Sequence, residues 1–462
     1  MLEKSKLIKA YKFYLLVCLG FLFIFLSIFF TAKLEQSYIL GGFMILLWVF
    51  EIIPIYVTAL LPLLLATPLG LLTPTDLALS YGNSNVFLFF GGFVMALGLE
   101  KWGVHEQIAR RIIAIVGDAK PKVLLGFILS TGLLSMWISN TATTLMMLPM
   151  AIAVIQSMPK HHQDSKFSLF LMLSIAYAAS IGGMATLVGS PPNTQMAAIV
   201  EQNFQTTISF WDWMKIGIPI SLTLLLLMYG YFYWALGKER KDLHDFNLKK
   251  TPWSAEQLKA IIIFLVVVFL WSFREFIIEF SGIIYKDEVP AILGAILMFI
   301  IPDNSKKGNL LSWKDTEQLP WGILLLFGGG LALAAIFEKN GVVTSMTGIF
   351  NAYAEASVFV LLVLVVFIGI FITEIMSNLA LVTLFVPIVG AFSLAQGIPV
   401  LQLCIPLTLA ASCAFMLPVG TPPNAIVFSS GLIRMHQMVK IGFILNIISM
   451  AVIAIMSYIL LN

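Results

Sequence analysis

Long apolar runs recur along the whole chain, and they limit the folds it can adopt more than any other feature. Runs of about 20 mostly apolar residues, the length of a membrane-spanning helix, occur among others at residues 13–31, 216–236, 260–280 and 441–461. Since 60% of the residues are hydrophobic and only 11% are charged, water cannot be the main solvent. These runs lack the alternating polar positions of a transmembrane barrel. The sequence therefore predicts an all-α polytopic membrane protein with about eleven transmembrane helices.

Basic residues are confined to a few of the connections between these runs. They cluster at residues 4–12, 110–122, 160–166, 238–250, 306–314 and 434–440. By the positive-inside rule these connections face the cytoplasm. The first apolar run has no small-residue cleavage site after it, so residues 1–37 are interpreted as a cytoplasmic N-terminus and a retained first helix. We expect a multi-pass protein of the plasma (inner) membrane, with its N-terminus in the cytoplasm and its C-terminus outside.

Three sequence blocks occur twice, in the same order. The blocks are Glu-Lys at 100–101 and 338–339, Ser-Asn at 139–140 and 377–378, and Gly-[Ser/Thr]-Pro-Pro-Asn at 189–193 and 420–424. Basic residues follow the first Glu-Lys block but not the second, so the two copies cross the membrane in opposite directions. The sequence predicts two inverted-topology repeats, at residues 38–236 and 257–462, joined by a cytoplasmic linker at 237–256.

Each repeat contains one apolar segment that must enter and leave the membrane on the same side. The segment at about 122–158 has basic residues at both ends, which predicts a re-entrant hairpin turning near Ser139 and Asn140. Repeat symmetry predicts a second hairpin, from the outer side, at about 356–396, with its turn near Ser377 and Asn378. The two Pro-Pro blocks predict two broken helices, because proline lacks the N–H donor and clashes with the preceding turn.

Hairpin tips and helix breaks leave backbone groups without helical partners. Free N–H groups favour anions, while free carbonyls together with Ser, Thr and Asn oxygens suit a hard cation such as sodium. No Lys, Arg or His occurs in the tips or the Pro-Pro blocks, so co-bound cations would have to neutralise a bound dianion. The predicted partners are a small anion, sodium ions and the lipid bilayer, without nucleic acid.

These paired motifs resemble those of the divalent anion/sodium symporter family, and the likeness covers nearly the whole chain. The resemblance implies a sodium-coupled symporter of C4-dicarboxylates such as succinate, malate and fumarate. It also implies at least two Na+ sites, a homodimer and an elevator-type mechanism, in which a mobile domain carries the binding site across the membrane. An enzyme is not expected.

The resemblance also implies site residues, position by position. It places one sodium ion among Ser135, Ser139, Asn140 and Gly189, and a second among Thr373, Asn378 and Gly420. It gives as substrate-binding residues Ser139, Asn140, Thr141, Ser377, Asn378, Leu379, Thr421 and Pro422. Leu379 departs from the family pattern Ser-Asn-Thr, so one hydroxyl expected at the substrate is replaced by an apolar side chain.

Other interpretations stay open at this point. Leu379 leaves room for a citrate, tartrate or sulfate carrier, or for a dicarboxylate exchanger on the same fold. An intramembrane enzyme would need a catalytic set, which the five histidines in predicted loops and interfacial segments do not form. A channel could also use re-entrant hairpins, but two opposed hairpins favour a closed site at the midplane. Glu374, beside the second tip, has two interpretations: a solvated hairpin residue or a functional group.

Overall fold

The computed structural model of the protein describes residues 2–50, 52–116, 119–158, 166–237, 252–304, 308–342, 345 and 357–461. No strand forms among these residues, and their regular structure is helical. The predicted linker at 237–256 lies mostly outside the described residues. The whole basic segment 238–250 and parts of the segments 160–166 and 306–314 also lie outside them.

The helices are numbered here in chain order. The first seven are α1 (Leu2–Phe29), α2 (Lys33–Val49), α3 (Ile55–Thr58), α4 (Leu61–Leu65), α5 (Pro74–Tyr81), α6 (Ser84–Lys101) and α7 (Val104–Val116). The next five are α8 (Lys120–Ser135), α9 (Asn140–Ser157), α10 (Lys166–Gly183), α11 (Pro191–Phe204) and α12 (Phe210–Leu236).

The second half of the chain continues the series. Its first part contains α13 (Ala255–Ser272), α14 (Arg274–Ser281), α15 (Glu288–Ile300), a 3₁₀ helix (Trp313–Gln318) and α16 (Trp321–Lys339). Its last part contains α17 (Val358–Thr373), α18 (Asn378–Ala395), α19 (Val400–Ala411), α20 (Pro422–Ser429) and α21 (Met435–Leu461).

Length and apolar composition mark eight of the described helical segments as able to cross a membrane. They are α1 from Lys12, α5 with α6, α10, α12, α13, α16, α18 and α21. Five shorter apolar segments, among them α9 and α17, accompany them. The prediction of an all-helical, multi-pass membrane protein is confirmed, whereas the number of eleven spans stays a prediction.

Burial sorts the spans into inner and outer helices. In α10, 94% of the span is buried inside the protein, against 6% in α1 and 22% in α13. Helix α10 is therefore the centre of the bundle, and α1 and α13 offer their apolar side chains to lipid. The contact of α10 with α8 is close because both helices carry a glycine there: a Cβ on Gly182 would overlap the backbone of Gly132.

Polar contacts link α11 to the glycine-containing helix α16. Gln202 Nε2 donates to the Leu331 carbonyl (3.1 Å), and Asn203 Nδ2 lies 3.3 Å from the Ala334 carbonyl. One face of α11 also carries Gln195, which lies against Gly330. Gln195 is fully buried, and neither of its amide atoms has a hydrogen-bond partner among the described residues. Helix α11 thus presents a row of amides to α16.

Ion pairs join segments that are distant in sequence. Arg274 pairs with Asp287 (2.9 Å) and Lys286 with Glu201 (3.0 Å), next to the start of α15. Elsewhere Lys101, at the end of α6, pairs with Asp315 (2.8 Å) of the 3₁₀ helix. Burial opposes the charged form of Asp315, but its hydrogen bonds with Lys101 and Ser312 lower its pKa overall.

Candidate functional site

The first hairpin turns at the residues that the sequence indicated. Helix α8 ends at Ser135 and α9 begins at Asn140. Ser139 caps α9, because its Oγ accepts a hydrogen bond from the Ala142 N–H (3.2 Å). Ser135 Oγ lies 2.7 Å from both Asn140 Oδ1 and the Ala179 carbonyl of α10. The tip is therefore tied both across its own turn and to the central helix.

The second tip repeats this pattern with its own residues. Helix α17 ends at Thr373, and Ser377 caps α18 by accepting from the Ala380 N–H (3.2 Å). Thr373 Oγ1 lies 2.8 Å from Asn378 Oδ1 and 2.7 Å from the Ala411 carbonyl at the end of α19. Both tips thus expose a serine cap and an asparagine whose carbonyl oxygen is held by a hydroxyl.

The helix breaks lie before the Pro-Pro pairs. Helix α10 ends at Gly183 and α11 begins at Pro191, while α19 ends at Ala411 and α20 begins at Pro422. The expectation that the prolines themselves interrupt the helices is therefore wrong. In both cases they occupy the first turn of the following helix, where the missing N–H costs nothing because it would have no helical partner.

A single asparagine holds each break in shape. Asn193 Nδ2 donates to the carbonyls of Gly183 (2.9 Å) and Thr186 (2.7 Å). In the second break Asn424 Nδ2 makes the corresponding two bonds, to the carbonyls of Ala414 (2.8 Å) and Leu417 (3.0 Å). Each asparagine lies in the first turn after its break and reaches back to carbonyls in the break or, for Gly183, at the end of the preceding helix.

Backbone oxygens converge on Gly189. The position that a Cβ would take there lies 2.7 Å from the Gly183 carbonyl oxygen, 2.8 Å from that of Met136 and 3.1 Å from that of Ser135. Asn140 approaches Gly183 so closely that a side chain on this glycine would overlap its amide. Several uncharged oxygens around a small space form the kind of donor set that a hard cation takes.

The counterpart around Gly420 differs by one carboxylate. The Cβ position there lies 3.3 Å from the Leu417 carbonyl oxygen and 3.4 Å from Glu374 Oε2. The residue 238 positions before Glu374 is Met136. The two clusters therefore have a similar backbone arrangement, but among the described residues only the second contains a carboxylate.

Glu374 is 4% exposed and fully engaged. Its Oε1 accepts from the backbone N–H groups of Phe415 and Met416, both at 2.8 Å, and from Asn446 Nδ2 at 2.8 Å. Its Oε2 accepts from the Leu417 N–H at 3.0 Å. The interpretation of Glu374 as a solvated hairpin residue is wrong, because the break after α19 offers it a row of unpaired N–H donors.

The remaining candidate residues divide by accessibility. Half-buried side chains that reach the tip surfaces are Ser139, Asn140, Thr141, Ser377 and Asn378, and Pro422 is exposed. Thr421 is buried and caps α20 by accepting from the Asn424 N–H (3.3 Å). Leu379 is 8% exposed and packs in the main apolar core. The structure thus groups Ser135 and Asn140 near Gly189, and Thr373 and Asn378 beside Glu374 and Gly420.

The two clusters belong to one interlocked body. Helix α9 packs against α20, and α11 packs against α18, so each hairpin lies beside the helix that follows the break in the other half of the chain. Tyr177 of α10 donates to the Phe415 carbonyl in the second break (2.8 Å). Reasoning from sequence missed Tyr177, Asn446 and the roles of Asn193 and Asn424. Only the asparagines carried a signal, as the last letter of both Pro-Pro-Asn blocks.

Replacing Glu374 by glutamine is expected to loosen the second break. In Glu374→Gln an NH2 group would face backbone N–H groups, and hydrogen bonds to a charged acceptor contribute about 1.5–3 kcal/mol each. We expect a lower thermal unfolding midpoint. Glu275→Gln, at an exposed position of α14, is the matched control. An unchanged midpoint in Glu374→Gln would contradict this role.

Comparison with known proteins agrees with this architecture. Residues 45–398 match the model of the citrate transporter family. The sodium-dependent dicarboxylate transporter SdcS of Staphylococcus saprophyticus is 38% identical over 433 residues, which cover 89% of this chain and 83% of that protein. The transporter of the same name from Staphylococcus aureus strain USA300 is also 38% identical with the same coverage.

Two solved structures share the fold at low sequence identity. MtrF of Neisseria gonorrhoeae has a TM-score of 0.59 and 11% identity, covering 83% of this chain and 82% of its own. The YdaH transporter of Alcanivorax borkumensis has a TM-score of 0.58 and 13% identity, covering 83% of this chain and 89% of its own. They support the helical transporter fold.

The family match and the full-length relatives agree on the class of protein, a transporter and not an enzyme. They also agree with the resemblance carried by the paired tip motifs. The chain therefore belongs to the citrate transporter family, among the divalent anion/sodium symporters.

Proposed function

We propose that this protein is a sodium-coupled symporter of C4-dicarboxylates such as succinate, malate and fumarate. The observation that carries the proposal is the pair of matched oxygen clusters at the tips and breaks, with carbonyl oxygens converging on Gly189. The names of the relatives as sodium-dependent dicarboxylate transporters support both the ion and the substrate class.

The tips supply complementary groups for a dianion and its counter-ions. Helices α9 and α18 begin at Asn140 and Asn378, so the N–H groups of their first turns and the two side-chain amides face a bound carboxylate. Because no basic side chain occurs in the tips or breaks, sodium ions in the neighbouring clusters supply the positive charge. Substrate and sodium then bind together, and neither binds well alone.

The proposed sites keep the residues expected from the motifs. One sodium binds beside Ser135, Ser139, Asn140 and Gly189, and the other beside Thr373, Asn378 and Gly420. Substrate lies between the two tips, in contact with Asn140, Thr141, Asn378 and Thr421, with Ser139, Ser377, Leu379 and Pro422 close by. The hydroxyl–amide pairs at both tips support these assignments.

The proposed mechanism is of the elevator type. The cross-packing of α9 with α20 and of α11 with α18 supports it, because both sites then lie in one unit that can move as a whole. We further propose two inverted repeats at 38–236 and 257–462, a homodimer, and an inner-membrane location with a cytoplasmic N-terminus and an outer C-terminus.

Uptake into liposomes tests the function directly. Purified protein is reconstituted, and radiolabelled succinate is followed with an inward sodium gradient, with potassium in place of sodium, and with unlabelled succinate inside. Uptake that requires the sodium gradient is the expected result. Uptake that ignores sodium but requires internal anion would make the protein an exchanger. No uptake in any of these conditions would contradict symport of succinate.

A second candidate is a carrier of citrate, tartrate or sulfate on the same fold. Leu379 favours it, because it replaces the hydroxyl of the Ser-Asn-Thr pattern that its counterpart Thr141 retains. The description of the matching family as citrate transporters points the same way. Competition of each anion against labelled succinate separates the candidates.

Leu379 is expected to influence which anion is preferred. Leu379 packs in the apolar core directly behind Asn378, and Leu379→Thr places a smaller, polar side chain there. We expect the ratio of malate to succinate uptake to change severalfold, because Ser377 and Asn378 shift when the side chain that supports them is altered. The measurement is the ratio of the two kcat/KM values. Leu364→Thr, at a lipid-facing position of α17, is the control and should leave the ratio unchanged. An unaltered ratio in Leu379→Thr would remove Leu379 from the selectivity argument.

A further inference from the structure

An apolar cavity of about 280 Å³ lies beside the first hairpin tip, and none of the residues named in the oxygen clusters lines it. Its walls come from Trp137 and Ile138 of the tip, from Ile261, Phe264 and Leu265 on one face of α13, and from the ends of α6 and α7. No polar atom is exposed on these walls. Water does not fill a cavity of this kind, because it finds no hydrogen-bond partners there.

The cavity opens beside exposed apolar side chains of α13. Leu265 lines it and is 55% exposed, and the neighbouring Ile262, on the outer side of α13, is 60% exposed. Because α13 offers apolar side chains to lipid along its length, the groups next to the opening are hydrocarbon chains. A chain that enters laterally would make dispersion contacts that the walls otherwise lack.

Positive charge lies at one end of the cavity. Trp253, just before α13, is part of the wall, and the guanidinium carbon of Arg111 lies 4.6 Å from the centroid of its ring. Arg111 belongs to the basic segment 110–122. An apolar pocket with a cation beside its end matches an acyl chain that carries an anionic headgroup.

We propose that this cavity binds one acyl chain of an anionic membrane phospholipid, with the headgroup beside Arg111 and the chain between α13 and the first hairpin tip. The chain lies against Phe264 and Trp137, whose rings already meet edge to face at 4.9 Å. Trp137 is two residues before the serine cap of α9. The lipid is therefore in contact with the segment that positions the first tip.

Photocrosslinking in vesicles tests the site without requiring transport. The full-length protein is reconstituted in phosphatidylcholine vesicles containing phosphatidylglycerol with a diazirine in its acyl chain, and crosslinked peptides are mapped by mass spectrometry. We expect labelling at residues 134–138 and 261–265. Ile261→Trp fills the cavity and should lower this labelling severalfold. Ile262→Trp adds the same bulk on the outer side of the same helix and should leave it unchanged.

Two further variants keep the test decisive. Ile108→Phe fills the cavity from α7 and serves if Ile261→Trp does not fold, as judged by its unfolding midpoint. Arg111→Gln should reduce labelling by the phosphatidylglycerol probe and not by a phosphatidylcholine probe of the same chain. Labelling that persists in both filled variants, or that is confined to the outer side of α13, would overturn the site. Equal labelling of the wild type by both probes would overturn the headgroup assignment.

Discussion

Asn140→Ala and Asn378→Ala are each expected to abolish sodium-driven succinate uptake in liposomes while the protein stays folded. Each asparagine begins a hairpin helix, and its carbonyl oxygen is held by a hydroxyl, Ser135 at 2.7 Å or Thr373 at 2.8 Å. The proposed site uses the same amide for sodium and for substrate, so one truncation removes two contacts. Losing the hydrogen bond to the charged substrate costs about 1.5–3 kcal/mol, roughly ten- to a hundredfold in uptake, and losing the sodium ligand lowers uptake further.

The folded state should tolerate these changes because both side chains are half-buried and each helix keeps its serine cap. Asn304→Ala, in an exposed loop, is the matched control and should transport like the wild type. Initial uptake rates and thermal unfolding midpoints are measured for all three variants. Wild-type uptake by a well-folded Asn140→Ala or Asn378→Ala protein would refute the assignment of that tip.

Gly189→Ala is the second substitution with a large expected effect. Its methyl group would lie 2.7 and 2.8 Å from the carbonyl oxygens of Gly183 and Met136, closer than carbon and oxygen normally approach. It would occupy the space that these oxygens surround, which is where the first sodium is proposed to bind. We expect uptake to fall to the background at ordinary sodium concentrations, with at most partial recovery at high sodium.

Alanine substitutions at two other glycines serve as comparisons for Gly189→Ala. Gly420→Ala meets its nearest atom, the Ala414 Cβ, only at 3.1 Å, so we expect a smaller rise in the sodium requirement. Gly230→Ala, in the middle of α12, meets nothing within 4 Å and should not alter uptake. The sodium dependence of uptake is measured for the three variants. If Gly189→Ala retains the sodium dependence of the wild type, the cation site is not at this glycine.

Much of the fold follows from sequence because the bilayer removes most alternatives. A chain of long apolar runs must form helices in lipid, which satisfy every backbone group internally, and the structure confirms the all-helical class. The turns near Ser139 and Ser377 were also predicted, the first from the basic residues at both ends of its segment and the second from the matching sequence block. The repeat boundaries and the roles of the site residues stay predictions.

The parts that sequence did not indicate depend on contacts distant along the chain. Proline was expected to interrupt a helix, but at Pro191 it begins one, because the chain had already left the helix at Gly183. The surroundings of Glu374 could not be foreseen, since three of its donors lie 41 to 43 residues away in a segment whose shape depends on the break. Sequence patterns predict where each helix and turn lies, but not which distant residues it contacts in the fold.

The row of amides between α11 and α16 would influence how fast α11 can move along α16. A helix presents a similar carbonyl at every turn, so moving α11 along α16 by one turn would exchange the bonds of Gln202 and Asn203 for bonds of the same kind. The hydrogen-bond energy of these amides would then be nearly the same at the two positions, with a barrier between them in which the amides have no partner. The amide of Gln195, which lies beside Gly330, already has no hydrogen-bond partner among the described residues, as the other amides would at the barrier. Such a series would fix the step length and the rate of a movement while leaving its equilibrium almost untouched.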